Sequence, residues 1–287
     1  MKIALLTCQE LEGYIAYEEH LDRALEKANI DFEWIIWTNW KDVDWGQYTA
    51  VLIRTTWDYQ KRIDEFLEAL THISTKTKLF NSLETVKWNH SKDYLLEFNE
   101  TKTKPVPTQE VHIIEKGDLF KLFERLNSEQ IIIKPFISAT AHDTFLLNKN
   151  NWEESLDEII RVNQKKRMMV QPFLENIQKE GEYSLHFFDG EFSHAILKTP
   201  KEGDFRSQEE YSSNIQTVNP DQTMLNFAHE VLAHLDDKLL YARVDFVRTE
   251  TDDFNLMELE LIEPSLYFAY GDGSAEKLVK ALIKRIS

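Results

Sequence analysis

The segment FNLMELELIEPSLYF sets Glu258 and Glu260 in alternation with Met257, Leu259 and Leu261. Residues two apart on a β-strand leave from the same face, so this spacing aims both carboxylates one way with no cation between them. Upstream, LLYARVDFV places Arg243 and Asp245 on one face by the same period, and the short connection TETDD favours a hairpin between the two strands. Such a hairpin groups Asp245, Glu258 and Glu260, with Arg243 as a lone cation at the edge. Three unneutralised carboxylates raise one another's pKa values, and a hard divalent ion with oxygen ligands, Mg²⁺ above all, relieves the repulsion. The competing reading is a hairpin with salt-bridged, solvated faces.

Three other stretches carry chemistry-bearing residues. In IIIKP, Lys134 ends an apolar run, and a lysine is costly to bury unless an anion accepts it. The following ISATAHDT, from Ile137 through Ser138 to Thr144, offers small and hydroxyl residues whose N–H groups could cradle a phosphate. It has no glycine, so it is neither a P-loop nor a dinucleotide fingerprint. In MMVQPFLEN, a strand runs into Gln171, Pro172, Phe173 and Leu174. Pro172 interrupts donation there and leaves backbone groups free near a bend, an edge on which adenine can be gripped between apolar walls. In RTTWDY, Arg54 could fork onto a substrate carboxylate and Trp57 could wall a pocket; the alternative for Arg54 is a cap on a neighbouring carbonyl. His186 and His194, on the two arms of a hairpin, read as structural.

The elements that must hold these residues fall into two regimes. KIALLT, a helix over 17–27, DFEWIIW, TAVLIRTTW and a helix over 63–73 alternate as a small parallel sheet does, and its ligands meet the C-terminal strand ends. Pro105 and Pro107 in TKTKPVPTQEV enforce an extended crossing and mark a domain boundary. Beyond it the pattern turns antiparallel: EYSLHFF and EFSHAILK flank Asp189-Gly190, the dipeptide of a type I′ turn. A helix over 223–235 and a closing amphipathic helix over 274–286 complete the chain.

Composition narrows the function classes. The chain has 287 residues, 42% hydrophobic and 29% charged, enough for two modest α/β domains. A formal net charge of -17 argues against gripping a phosphate backbone, so no nucleic-acid partner is expected. Cys8 is the only cysteine, the opening apolar run is too short for a signal peptide, and no stretch approaches the roughly 20 apolar residues of a membrane helix. A cytoplasmic location with no membrane partner is the expectation.

The order of the pieces is more specific than any one of them. A lysine on a helix (Lys92 in WNHSKDYLL), Lys134 ending a strand, the VQPFL bend, Glu182 opening EYSLHFF, then the R-x-D and E-x-E strands resemble the ATP-grasp superfamily over nearly the whole chain. The resemblance is closest to its glutathione-synthetase-like branch, which contains D-cycloserine-forming ligases. It implies an α/β fold with a small parallel-sheet domain at 1–104, then an ATP-grasp unit at 105–287 with antiparallel sheets and a central lid at about 105–175.

By resemblance, Lys92 and Lys134 hold the ATP α- and β-phosphates, with Ser138 in the lid loop. The Pro172 carbonyl and Leu174 N–H, beside Gln171, pair with adenine, and Glu182 takes the ribose hydroxyls. Asp245, Glu258 and Glu260 ligate two Mg²⁺ ions, while Arg243 and either Lys198 or Arg206 steady the transferring phosphoryl group. The chain departs from the family pattern in two places: Glu260 stands where many members have Asn, and Ser138 to Thr144 replaces a glycine-rich lid. Glu263, before Pro264, is a ligand or faces substrate. The implied activity is ATP-dependent ligation of a small-molecule carboxylate to an amine through an acyl phosphate, with ring closure as a variant and a homodimer as one oligomeric state. A silent nucleotide-binding module and a Mg²⁺-dependent nuclease are the alternatives.

Overall fold

The computed structural model describes residues 1–287 except 100, 114, 139, 140, 208, 236 and 237, so two positions of the segment Ser138 to Thr144 lie outside the described residues. Among the described residues no helix is long and apolar enough to cross a membrane. Among the described residues, three sheets follow one another along the chain.

The first is parallel and contains β1 (Lys2–Thr7), β2 (Asp31–Ile36), β3 (Ala50–Thr55) and β4 (Lys78–Phe80) in the order β2-β1-β3-β4. β3 is buried on both faces, as the unbroken run AVLI requires of a strand covered by helices on both sides. The first helix begins at Glu19 rather than residue 17, because Tyr17 takes a left-handed φ of 56°. The strand order reverses between β1 and β3, and the segments leaving their C-terminal ends carry Tyr14, Trp57 and Tyr59.

The second sheet holds β5 (Gln109–Val111), β6 (Gln130–Pro135), β7 (Phe145–Asn148) and β8 (Met168–Pro172), paired antiparallel in the order β5-β8-β6-β7. Its inner face, Ile131, Ile133, Met168 and Val170, packs with Leu119 and Phe123 of the helix Lys116–Leu126 and Ile159 of the helix Leu156–Asn163. Strand alternation then sends Ile132 and Lys134 to the opposite face.

The third sheet is antiparallel: β9 (Glu182–Phe188), β10 (Glu191–Thr199), β11 (Asn214–Val218), β12 (Tyr241–Arg248) and β13 (Phe254–Glu260), ordered β11-β10-β9-β12-β13. Asp189 and Gly190 turn the β9–β10 hairpin with φ of 49° and 82°, the paired positive values of a type I′ turn. One face packs Leu185, Phe187, Val244 and Phe246 against Phe227, Ala228 and Val231 of the helix Gln222–Leu232. The other face is polar. Along β12 and β13 Asp245 stands opposite Glu258 but Phe246 opposite Leu256, so β13 advances two residues for one on its partner. Met257 is the extra residue of a bulge, which turns the glutamates to the polar face while Leu256 stays in the core.

Two buried residues fasten the first sheet to the third. Asn81 donates to the carbonyls of Tyr241 and Leu261, each at 2.8 Å, and accepts from the Leu240 N–H at 2.7 Å. The Tyr241 hydroxyl sits among the carbonyls of Ile53, Phe80 and Ile262 at 2.8–3.0 Å. The proline crossing runs along the edge of β13, with the Val106 N–H donating to Leu256 at 2.9 Å and the Leu256 N–H to Lys104 at 3.0 Å.

Candidate active site

The polar face of the third sheet, the outward face of β6 and β8 and the loops after β1 and β3 enclose a cavity of about 230 Å³. Every sequence-predicted site residue lines it except Arg54. Register explains the arrangement. Glu260, Arg243, His186 and His194 form one row across four strands, Glu258, Asp245 and Ser184 the next, and Lys198 faces Glu182 beyond.

The carboxylates are neutralised pair by pair. Arg243 donates from Nε and Nη2 to Asp245 at 2.8–3.1 Å, pairs with Glu260 through Nη2, and reaches the Ser265 carbonyl at 3.1 Å. Lys198 pairs with Glu182 and lies 3.4 Å from Asp245. Lys92 donates to Glu258 at 3.0 Å and to the Ser138 carbonyl at 2.8 Å. Burial alone would raise the Asp245 carboxyl, but Arg243 and Lys198 hold it well below the usual carboxylate range. Glu258 is likewise lowered, burial being outweighed by Lys92 and Lys134. Glu260 goes the other way: burial, with the charges of Asp245 and Glu258, overrides Arg243 and pushes it up to about 7. Among the described residues, no three His, Cys, Asp or Glu side chains are grouped closely enough to hold a metal ion. The three carboxylates expected as a bare cluster share one face, but basic residues separate them.

Lys134 makes no ion pair among the described residues, and burial, with Lys92 nearby, lowers its pKa despite Glu258. Both facts leave its ammonium group seeking an anion. Lys92 is not on a helix. It lies in the turn between the helices Leu83–Asn89 and Tyr94–Phe98, where its N–H donates to the Phe136 carbonyl at 2.9 Å and swings the side chain toward β6. At the bend after β8, the Phe173 N–H is used by the Gln130 carbonyl at 2.9 Å, while the Leu174 N–H has no partner among the described residues. Gln171 is buried and donates to the Thr108 hydroxyl at 2.8 Å, so its side chain supports the bend from behind.

Arg54 is a correction. Its side chain is 0% exposed and its fork is committed to Glu18, with Nη2 to Oε1 at 2.6 Å and Nε to Oε2 at 3.2 Å. It therefore ties the loop before the first helix to β3 and, through the Pro264 carbonyl at 3.3 Å, to the segment after β13. Arg206 lines the cavity, but its guanidinium is held by Asp204 at 2.7 Å and rests 3.6 Å over the Tyr211 ring. Lys198 is the cation that reaches the carboxylate rows. The two histidine rings stack at 4.2 Å and 3°; His194 bonds Ser193 and the Leu266 carbonyl and burial drives it down to about 4, while both ring nitrogens of buried His186 lack a hydrogen-bond partner among the described residues.

Sequence reasoning missed Ser207, whose hydroxyl donates to Glu182, and Tyr14, whose ring packs 5.2 Å from Trp57. Neither sits in a motif or a periodic run.

With this geometry, the family models identify the class. Residues 92–264 match the ATP-grasp domain of prokaryotic glutathione synthetase, and residues 3–81 match the N-terminal domain of D-cycloserine synthetase DcsG. The chain belongs to the ATP-grasp superfamily, with an ATP-grasp domain of the prokaryotic glutathione synthetase type, and is an ATP-dependent ligase of the kind that forms carbon–nitrogen bonds. The cycloserine biosynthesis protein DcsG of Streptomyces lavendulae is 27% identical over 266 residues, covering 86% of this chain and 87% of that protein. The crystal structure of D-cycloserine synthetase DcsG matches with a TM-score of 0.86 at 25% identity, covering 100% of each chain. The ATP-grasp ligase PsnB, complexed with a phosphomimetic variant of its minimal precursor, Mg and ADP, shares the fold at a TM-score of 0.70 and 13% identity, covering 99% of this chain and 98% of that one.

Proposed function

We propose that the enzyme uses ATP to phosphorylate a carboxylate on a small amino-acid-like substrate, and that an amine nitrogen then displaces phosphate from the acyl phosphate. The observation that carries this reading is the unpaired Lys134 facing Glu258 and Lys92 across one cavity, beside the Leu174 N–H. Cations that suit phosphate oxygens, hard oxygen ligands and a free backbone donor thus line one cavity, which supports a nucleoside triphosphate as its ligand. Phosphoryl transfer asks mainly for such positioning and charge neutralisation.

Lys92 and Lys134 take phosphate oxygens, and Arg243 and Lys198 steady the moving phosphoryl group. Ser138 belongs to the lid over the phosphates, Gln171 props the bend where Pro172 and Leu174 receive adenine, and Glu182 takes the ribose. The donors suit magnesium in kind, since Asp245, Glu258 and Glu260 are hard oxygen ligands on one face; to share an ion they must give up contacts to Arg243 and Lys92, and the raised Glu260 gains most from an added cation. Bound Mg²⁺, two ions in this reading, would supply charge neutralisation at the β- and γ-phosphates. In this reading residues 1–104 are the N-terminal α/β domain that precedes the ATP-grasp unit of 105–287, with its central lid at about 105–175. Similarity to a protein named for cycloserine biosynthesis favours the variant in which nitrogen and carboxylate belong to one molecule.

Mg·ATP at about 100 times its Kd is expected to stabilise the native chain by about 2.7 kcal/mol, read as a rise in Tm, and Lys134→Met is expected to remove most of that rise. A native protein indifferent to Mg·ATP, or a Lys134→Met variant stabilised equally, would count against the reading.

A further inference from the structure

We propose that Glu263, walled by Trp57, Tyr14 and Tyr59, receives the free ammonium group of the substrate. The inference rests on the ligase reading and deepens it, because it fixes which end of an amino-acid-like molecule faces the N-terminal domain.

Glu263 lies three residues beyond the end of β13, on the segment that closes the cavity against the first sheet. Asp245, Glu258, Glu260 and Glu182 each touch a lysine or arginine. Glu263 has no such partner among the described residues. The basic groups nearest to it are engaged elsewhere: Arg54 is held by Glu18, and Lys92 by Glu258. Glu260 and, more weakly, Glu258 also face it and repel it; burial and that repulsion outweigh Lys92 and push Glu263 up to about 8. The fold thus places an acidic side chain in a cavity wall with no cation paired to it among the described residues, and a ligand cation completes the arrangement by favouring its ionised form.

The walls suit an alkylammonium group. The Trp57 indole N–H donates to the Glu263 carbonyl at 2.9 Å, which fixes the indole beside this residue. Tyr14 packs on Trp57 with ring centroids 5.2 Å apart, and Tyr59 lines the same cavity, its hydroxyl raised by burial and then by the nearby Glu263 charge. Aromatic faces attract a cation through their quadrupole, and they exclude water from the ion pair it makes with a carboxylate. A carboxylate or phosphate of the substrate is repelled from the same spot. The substrate's acid end thus points to Arg243, Lys92 and Lys134, where the phosphoryl group arrives, and its amine points to the loops after β1 and β3. Those loops leave the first sheet where its strand order reverses, the place at which such sheets collect ligands.

The test uses the native protein and Glu263→Gln, each first assayed for stabilisation by Mg·ATP. Binding calorimetry in the presence of Mg·ADP then compares alanine and serine of both configurations with their N-acetyl forms and with lactate and glycerate, whose hydroxyl replaces the amine. The native protein is expected to prefer a free amine by roughly 10- to 100-fold, the worth of one charged hydrogen-bonded pair. Glu263→Gln is expected to erase that preference while keeping its Mg·ATP stabilisation. A native protein that binds amine and hydroxyl forms alike, or binds none of them, overturns the proposal. So does a Glu263→Gln variant that still prefers the amine, or one that loses its response to Mg·ATP and so places Glu263 in the metal set. Absence of Mg·ATP stabilisation in the native protein would instead strike the ligase reading itself.

Discussion

Asp245→Asn is expected to lower Mg²⁺-dependent ATP turnover on the order of 10²- to 10³-fold, the scale on which removal of one preorganised charge-stabilising group acts. Asp245 occupies the centre of the polar face: it stands opposite Glu258 in register, accepts from Arg243, and lies 3.4 Å from Lys198. Because Arg243 and Lys198 outweigh its burial, it stays ionised across any working pH. Asparagine keeps the shape and an acceptor for Arg243 but removes the charge, so two buried cations lose their shared counter-charge and a metal loses a hard ligand. Phosphate release in the presence of Mg·ATP reads the effect, and circular dichroism establishes that the variant is folded. Undiminished turnover in a folded variant would remove Asp245 from the site.

Glu18→Ala is expected to cost about 3–5 kcal/mol of stability, the usual penalty for leaving a buried charge unpaired. Arg54 is fully enclosed, and its Nη1 already lacks a partner. Removing Glu18 strips the guanidinium of both carboxylate bonds and leaves the Pro264 carbonyl among its few contacts. Replacing both residues, Glu18→Leu with Arg54→Met, is expected to cost less than Glu18→Ala alone, because no charge then remains inside. Urea midpoints at constant slope measure both effects. Equal losses in the single and double variants would show that packing, not the stranded charge, sets the stability. Since Arg54 also touches the segment carrying Glu263, the single variant should loosen the substrate side of the cavity as well.

What the sequence disclosed is local and periodic. Asp189-Gly190 specified its hairpin because few residues tolerate two consecutive positive φ angles. The IIIKP run separated a core face from a cavity face because strands alternate, and the ATP-grasp resemblance followed from motifs in order. What stayed hidden depends on partners distant in the chain. Arg54 looked like a substrate ligand because nothing near it advertises Glu18, 36 residues away and outside any pattern. The acidic trio looked bare because Arg243, read as a cation at its edge, lies between Asp245 and Glu260, and because Lys92 and Lys198 come from other elements and reach it only in the folded chain. Alternation also suggested a regular last strand, whereas the bulge at Met257 turns Glu258 and Glu260 into the cavity. Glu263 was noticed but could not be assigned, since its lack of a cation is visible only once every nearby base has been placed.

The central claim, activation of a carboxylate as an acyl phosphate, is tested most directly by the fate of its oxygen. A small amino-acid substrate selected by ATP-dependent phosphate release is prepared with ¹⁸O in its carboxylate and turned over with Mg·ATP, and the products are analysed by mass spectrometry. The expected result is ADP and inorganic phosphate carrying one ¹⁸O from the substrate, because the carboxylate oxygen that attacks the γ-phosphorus leaves with it when nitrogen closes the new bond. Unlabelled phosphate, or AMP with pyrophosphate in place of ADP, would contradict the account.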